Sequence, residues 1–155
     1  MPDPNNLVPP SRRAVLRAAL GLAALAGTTS TAAALTAYQG RKRPLVVFAP
    51  ATDHPLLTRQ RNDINAHRLA LADRDIVVVY VVGGSVSAEL GAGPGLSGAA
   101  LRSRFRVSEG SFRVLMLGKD GTIRLESGAP ILYGDIAGDI ERQPTRREDI
   151  RRGGR

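Results

Sequence analysis

A chain of 155 residues with 43% apolar composition can build one modest hydrophobic core and is short for two domains. It contains no cysteine, which excludes disulfides, thiol nucleophiles, thiolate metal sites and iron–sulfur clusters; with only His54 and His67 as histidines, no metal and no cofactor are expected. The net charge of +8 comes from scattered arginines with 4% aromatic residues, which is the composition of a solvated basic surface and not of a stacking platform for single strands, so no nucleic-acid partner is expected.

At the N-terminus, Ser11-Arg12-Arg13-Ala14-Val15-Leu16-Arg17 precedes an apolar run from Ala18 to Ala26, then Gly27 and a small-residue stretch from Thr28 to Ala37. Basic, short apolar and small-residue regions in that order describe an export signal, and the Arg12-Arg13 pair ahead of Leu16 and Arg17 gives it twin-arginine character. A membrane-spanning helix needs roughly 20 strongly apolar residues, about twice the uninterrupted run here. The expected organisation is a signal over residues 1–37, cleaved near Ala34 or Ala37, a basic linker over 38–43, a domain over 44–144 and a basic tail over 145–155. The product is then periplasmic or secreted, and an uncleaved signal that tethers the domain to the membrane is the alternative. Removing residues 1–37 takes three arginines and one aspartate, so +8 becomes +6. That charge on an exported domain favours a protein partner or an acidic envelope component.

Leu45-Val46-Val47-Phe48-Ala49, set between Pro44 and Pro50, reads as a strand buried on both faces. Asp53 is placed to cap a helix with Pro55 in its first turn, carrying Leu57, Ile64 and Leu71 at heptad spacing. Asp73-Arg74-Asp75 breaks that helix, and Ile76 to Val82 is the clearest strand in the chain. A glycine-rich loop from Gly83 to Gly98 leads to a short helix from Ser97 to Arg106. Phe112–Leu117 and Thr122–Glu126 flank Gly118-Lys119-Asp120-Gly121, whose Asp-Gly pair signals a hairpin. A last helix over Asp135–Arg142 presents Ile136 and Ile140 and stops at Pro144. The predicted class is α/β with the order β-α-β-α-β-β-α, thioredoxin-like by analogy, with a four-stranded mixed sheet in the order 2-1-3-4.

Several segments carry a family resemblance: Arg43 to Pro50, Asp73 to Val79, Arg104-Phe105-Arg106-Val107, Phe112 to Gly121, and Gln143-Pro144-Thr145-Arg146-Arg147-Glu148. The chain resembles a bacterial domain-of-unknown-function family described as thioredoxin-like or peroxiredoxin-like, with related domains in animal extracellular proteins named for sushi repeats or coiled coils. The resemblance implies a fold and supplies no catalytic residues.

In thioredoxin-like enzymes the reactive cysteine stands where the first strand meets its helix, because a helix N-terminus stabilises a thiolate. Here that corner is Ala49-Pro50-Ala51-Thr52-Asp53-His54-Pro55 and holds no sulfur, and Ser111, not proline, precedes Phe112. Thr52, Asp53 and His54 are the candidate ligand-binding corner, facing Ser108 to Ser111; no catalytic residue is assigned, since Asp53 has an adequate role as a helix cap. His67 reads as a half-buried structural histidine. Gly93-Pro94-Gly95-Leu96-Ser97-Gly98 satisfies a dinucleotide-binding pattern literally, yet it starts about ten residues after the strand it would have to follow directly, so a loop is expected. The function these features favour is an exported, non-redox binding or interaction module. A thiol-independent extracytoplasmic enzyme and a membrane- or envelope-associated accessory protein remain open.

Overall fold

The computed structural model describes residues 35–91 and 95–153; Arg12 and Arg13 of the expected export signal lie outside them. The elements in chain order are β1 (Arg43–Ala49), α1 (Pro55–Ala66), α2 (Arg68–Asp73), β2 (Ile76–Val82), β3 (Ser85–Glu89), α3 (Gly98–Phe105), β4 (Arg113–Leu117), β5 (Ile123–Ser127), α4 (Tyr133–Arg142) and α5 (Pro144–Gly153). The strands form one mixed sheet in the order β3-β2-β1-β4-β5. β1 and β2 are parallel, and the remaining neighbours are antiparallel.

The sheet therefore has five strands, not four. The expected inner order survives with the third and fourth predicted strands as β4 and β5, and β3 adds an edge. Residues 85–89, predicted as loop, pair with the free edge of β2 through Val82 opposite Ser85. Gly83 and Gly84 make the two-residue connection, and Gly83 takes φ 54°, a backbone state that glycine adopts without strain in tight hairpins. Serine at 85 and 87 and Glu89 hid the strand, because an edge strand with polar outward positions lacks the apolar run that marks β1 and β2.

Alternating side chains of the continuous apolar strands divide between two core layers. On one face Leu45, Val47, Val78 and Tyr80 meet Leu57, Ile64 and Leu71 of α1 and α2 and Ile136 and Ile140 of α4. On the other, Val46, Phe48, Val77, Val79 and Val81 meet Leu101 of α3. Sheet and helices thus form three layers, with β1 and β2 covered on both sides as parallel strands require. The predicted helix over 55–71 is interrupted at His67, where α1 ends and α2 begins, and its heptad leucines and isoleucine are all buried.

The fold also begins before residue 44. Leu35 and Tyr38 belong to the second core layer, and Arg43, placed in a linker by its charge, is the fully buried first residue of β1. Its Nη1 donates to the Arg74 carbonyl at 3.0 Å and its Nε to Gln143 Oε1 at 3.5 Å. Gln143 in turn donates to Asp139 at 2.7 Å, which pairs with Arg124 of β5 at 3.4 Å. This polar chain fastens the end of α4 to β1 and β5. Pro144, expected to stop α4, also opens α5, since proline at a first helical position sacrifices no intrahelical bond.

At the N-terminal ends of β1 and β2, Asp75 sits at φ 59° and receives Lys119 at 2.9 Å and Lys42 at 3.4 Å. Burial works to raise its pKa, but the Lys119 hydrogen bond and the charges of Lys119 and Lys42 outweigh it and hold the carboxyl below the ordinary carboxylate value. A depressed folded-state pKa contributes stability that is present above the unfolded value, near 3.9, and is lost as pH falls through the folded value. Asp75→Asn tolerates the same left-handed backbone and should cost about 1 kcal/mol at pH 7. Urea denaturation at pH 7 and near pH 3 checks it, the gap between wild type and variant being expected to shrink at the lower pH.

Candidate functional site

At the opposite end of the sheet, the carboxyl ends of β1 and β2 meet the start of α1 and the loop before β4. Pro55 occupies the first turn of α1, so the residue before it caps the helix: the N-cap is His54, in extended backbone at φ −62° and ψ 126°, without a side-chain capping bond. The expected cap at Asp53 is therefore corrected by one position, because the residue preceding a proline is driven to extended backbone. Thr52 and Asp53 are exposed and His54 is partly buried.

His54 turns toward the loop and stacks on Phe112, with ring centroids 5.6 Å apart and planes 3° from parallel. The corner and the 108–112 loop are thus in direct contact. In that loop the Ser108 and Ser111 hydroxyl oxygens lie 2.5 Å apart, and the Ser111 N–H donates to the Ser108 carbonyl at 3.1 Å. The His54 Nδ1 is shielded from solvent and has no hydrogen-bond partner among the described residues. At the first turn of α1 no acidic residue opposes the partial positive charge of the helix start.

Arg102 organises this end of the sheet, and the sequence reading did not single it out. It is 6% exposed, and its guanidinium donates to four backbone carbonyls: Ala49 at 2.9 Å, Val81 at 3.4 Å, Gly83 at 3.4 Å and Ser108 at 2.8 Å. Those acceptors come from the ends of β1 and β2, the β2–β3 turn and the loop bearing Ser108. A planar five-donor fork can join these four segments in this way and a lysine cannot. The guanidinium also lies over the Phe48 ring at 5.5 Å. The sequence did hold a signal, since Gly98, Leu101, Arg102 and Phe105 follow the spacing of a core-facing helical stripe, and an arginine on such a stripe needs buried acceptors.

Gly98 completes the support. A Cβ there would stand 3.2 Å from the Gly84 carbonyl oxygen and 3.3 Å from Val81 Cγ1, so glycine allows α3 to seat on the β2–β3 hairpin. Ser97 caps α3 by accepting from the Ala100 N–H at 3.4 Å. The glycine pattern around it is a helix seat, and β3 separates it from β2; residues 93 and 94 of the pattern lie outside the described residues.

His67 is placed elsewhere. It stacks on Tyr133 at 4.4 Å, its Nδ1 lies 2.9 Å from the Asp63 carbonyl oxygen, and it joins α1 to the start of α4. Burial first, then the Glu89 carboxylate, pushes the Tyr80 hydroxyl up to about 12. An open groove of about 390 Å³ lies away from the corner, between the edge of β5 at Leu125–Ser127 and the Gly134, Gly138 and Arg142 flank of α4. Among the described residues no cluster of three or more histidines and carboxylates could hold a metal ion, and no helix is long and apolar enough to cross a membrane.

The model of one protein family, described as a domain of unknown function (DUF4174), matches residues 34–149. No curated protein and no solved structure matches.

Proposed function

Because the chain belongs to the DUF4174 family, we propose that it is an exported, non-redox, thioredoxin-like binding module whose partner docks at the corner of Thr52, Asp53 and His54. One observation carries this reading: the first strand–helix junction, the β2 end and the Ser108–Ser111 loop converge at one place, held by Arg102, and the chain has no cysteine to put there. The parallel β1–β2 pair followed by an antiparallel β4–β5 hairpin and a closing helix supports the thioredoxin-like description. Exposed Asp53 opposes an anionic guest beside a helix start that would otherwise receive one. A neutral polar or peptide-like segment of a partner protein is the better fit.

The test is capture of partners from the extracytoplasmic fraction, followed by binding measurements with Asp53→Asn and His54→Ala. Asp53 is exposed and caps nothing, so Asp53→Asn should leave stability within about 0.5 kcal/mol of the parent. A tenfold or greater loss of affinity for the captured partner in either variant is the expected result. Unaltered binding in both would remove the corner from the interaction.

Export rests on the paired arginines ahead of a short apolar run. Arg12→Lys combined with Arg13→Lys should hold nearly all of the chain in the cytoplasm, read by fractionation and immunoblot; a normal level of processed protein outside the cell would reject twin-arginine routing. A second reading, association with an acidic envelope component, is favoured by the exposed Arg151 and Arg152 of α5. It predicts association that weakens as salt is raised.

A further inference from the structure

We propose that the chain forms a two-fold symmetric homodimer through the open groove between β5 and α4, with the α4 helices of the two copies side by side and antiparallel. The groove, of about 390 Å³, is lined by β5 from Leu125 to Ser127 and by Gly134, Asp135, Gly138 and Arg142 of α4. β5 is the last strand of the sheet, so among the described residues its outer backbone edge has no strand partner, which is the condition under which a sheet edge invites a second chain. The groove shares no residue with the corner of Thr52, Asp53 and His54. A dimer joined here therefore carries two such corners.

The order of charges along α4 selects a second copy as the occupant. Asp135 and Arg142 are both exposed on the groove flank, and neither forms an ion pair among the described residues. Asp135 stands three positions before Gly138 and Arg142 four positions after it, so a two-fold axis beside Gly138 sets Asp135 of each copy level with Arg142 of the other. Two ion pairs form at once, as a self-complementary interface requires, and the antiparallel helices also oppose their dipoles. A partner of one charge sign would meet a like charge at one end of this flank. A second copy meets none. The glycines agree with a close approach of two backbones. Glycine inside a helix is destabilising relative to alanine, yet a Cβ at Gly134 would meet nothing within 4 Å and one at Gly138 only the Arg142 Nη1, at 3.5 Å. The chain's own packing requires neither glycine. The same rotation brings the two open β5 edges alongside each other.

The experiment is sedimentation equilibrium of the full chain from about 1 to 500 µM, a span that brackets micromolar association. The mass should rise from that of one chain toward that of two. Asp135→Arg and Arg142→Asp each place like charges across the axis and should weaken the dimer about tenfold or more, whereas the double variant exchanges the pair and should restore association to within about threefold of the parent. Gly138→Lys fills the groove flank without adding apolar surface and sets like charges near the axis, so it should also abolish the dimer. Lysine is the better helix former, so the urea midpoint of Gly138→Lys should stay at or above that of the parent, which separates loss of the interface from loss of the fold. A chain that remains monomeric throughout would overturn the inference, as would a dimer indifferent to Gly138→Lys or a charge exchange that fails to restore what the single variants lose.

Discussion

Replacing Arg102 by methionine should lower the stability of the domain by about 3 kcal/mol and its melting temperature by roughly 10 °C. The estimate balances two large terms. Four charge-assisted hydrogen bonds at roughly 1.5 kcal/mol each are lost, and the desolvation cost of a buried guanidinium, several kcal/mol, is recovered in part because methionine fills the space without a charge. Among these carbonyls, Ala49 keeps the Gly83 N–H as a donor and Ser108 keeps the Ser111 N–H. That tempers the loss. Arg102→Lys should recover less than half of it, since an ammonium cannot span acceptors on two strand ends, a turn and a loop. Chemical denaturation of the three proteins is the measurement, and a methionine variant within 1 kcal/mol of the parent would disprove the account.

The second large effect is expected at Gln60, which is fully buried. Its amide behaves as a piece of strand toward Ile131: Nε2 donates to the Ile131 carbonyl at 2.9 Å and Oε1 accepts from the Ile131 N–H at 2.8 Å. The pair locks α1 to the chain entering α4, and the Tyr133 N–H donates to Asp63 Oδ2 at 2.8 Å just beside it. Gln60→Leu preserves the apolar contacts and strands both backbone groups of Ile131, for an expected cost of about 3 kcal/mol. Gln60→Glu separates the two bonds by pH. A protonated carboxyl can still donate to the Ile131 carbonyl, whereas the carboxylate repels it, so burial in the fold favours the protonated form and raises the folded-state pKa. Stability of this variant is therefore retained at low pH and lost as pH rises through that value. Urea midpoints at pH 4.5 and 7.5 decide it; a deficit that does not grow with pH contradicts the two-bond arrangement.

Much of the fold was legible in the chain. The uninterrupted apolar runs of β1 and β2 announced central strands, the Leu57, Ile64 and Leu71 spacing announced a helix laid along one face, and Asp120-Gly121 announced the β4–β5 hairpin. The misplaced cap shows the limit of local reading: Asp53 is a better capping residue than His54 by type, but Pro55 determines which residue must be extended. β3 was missed because Gly83-Gly84 was read as loop composition and not as a two-residue turn between pairable segments.

The candidate corner was legible only as a location. Thr52, Asp53 and His54 could be placed at the end of the first strand, but the stacking of His54 on Phe112 joins residues 58 positions apart, and no local pattern encodes it.

By itself the sequence determined the elements that depend on periodicity and turn chemistry, the absence of any thiol chemistry, and the family to which the chain belongs. Tertiary structure alone decided the fate of the polar residues on otherwise apolar stripes: Arg43, Gln60 and Arg102 are buried because each finds acceptors or donors far along the chain, at Arg74 and Gln143, at Ile131, and at Ala49, Val81, Gly83 and Ser108. The physical reason is that a charge or amide is tolerated in a core only where its hydrogen bonds are met, and those partners exist as a set only after β1, β2 and the helices have packed.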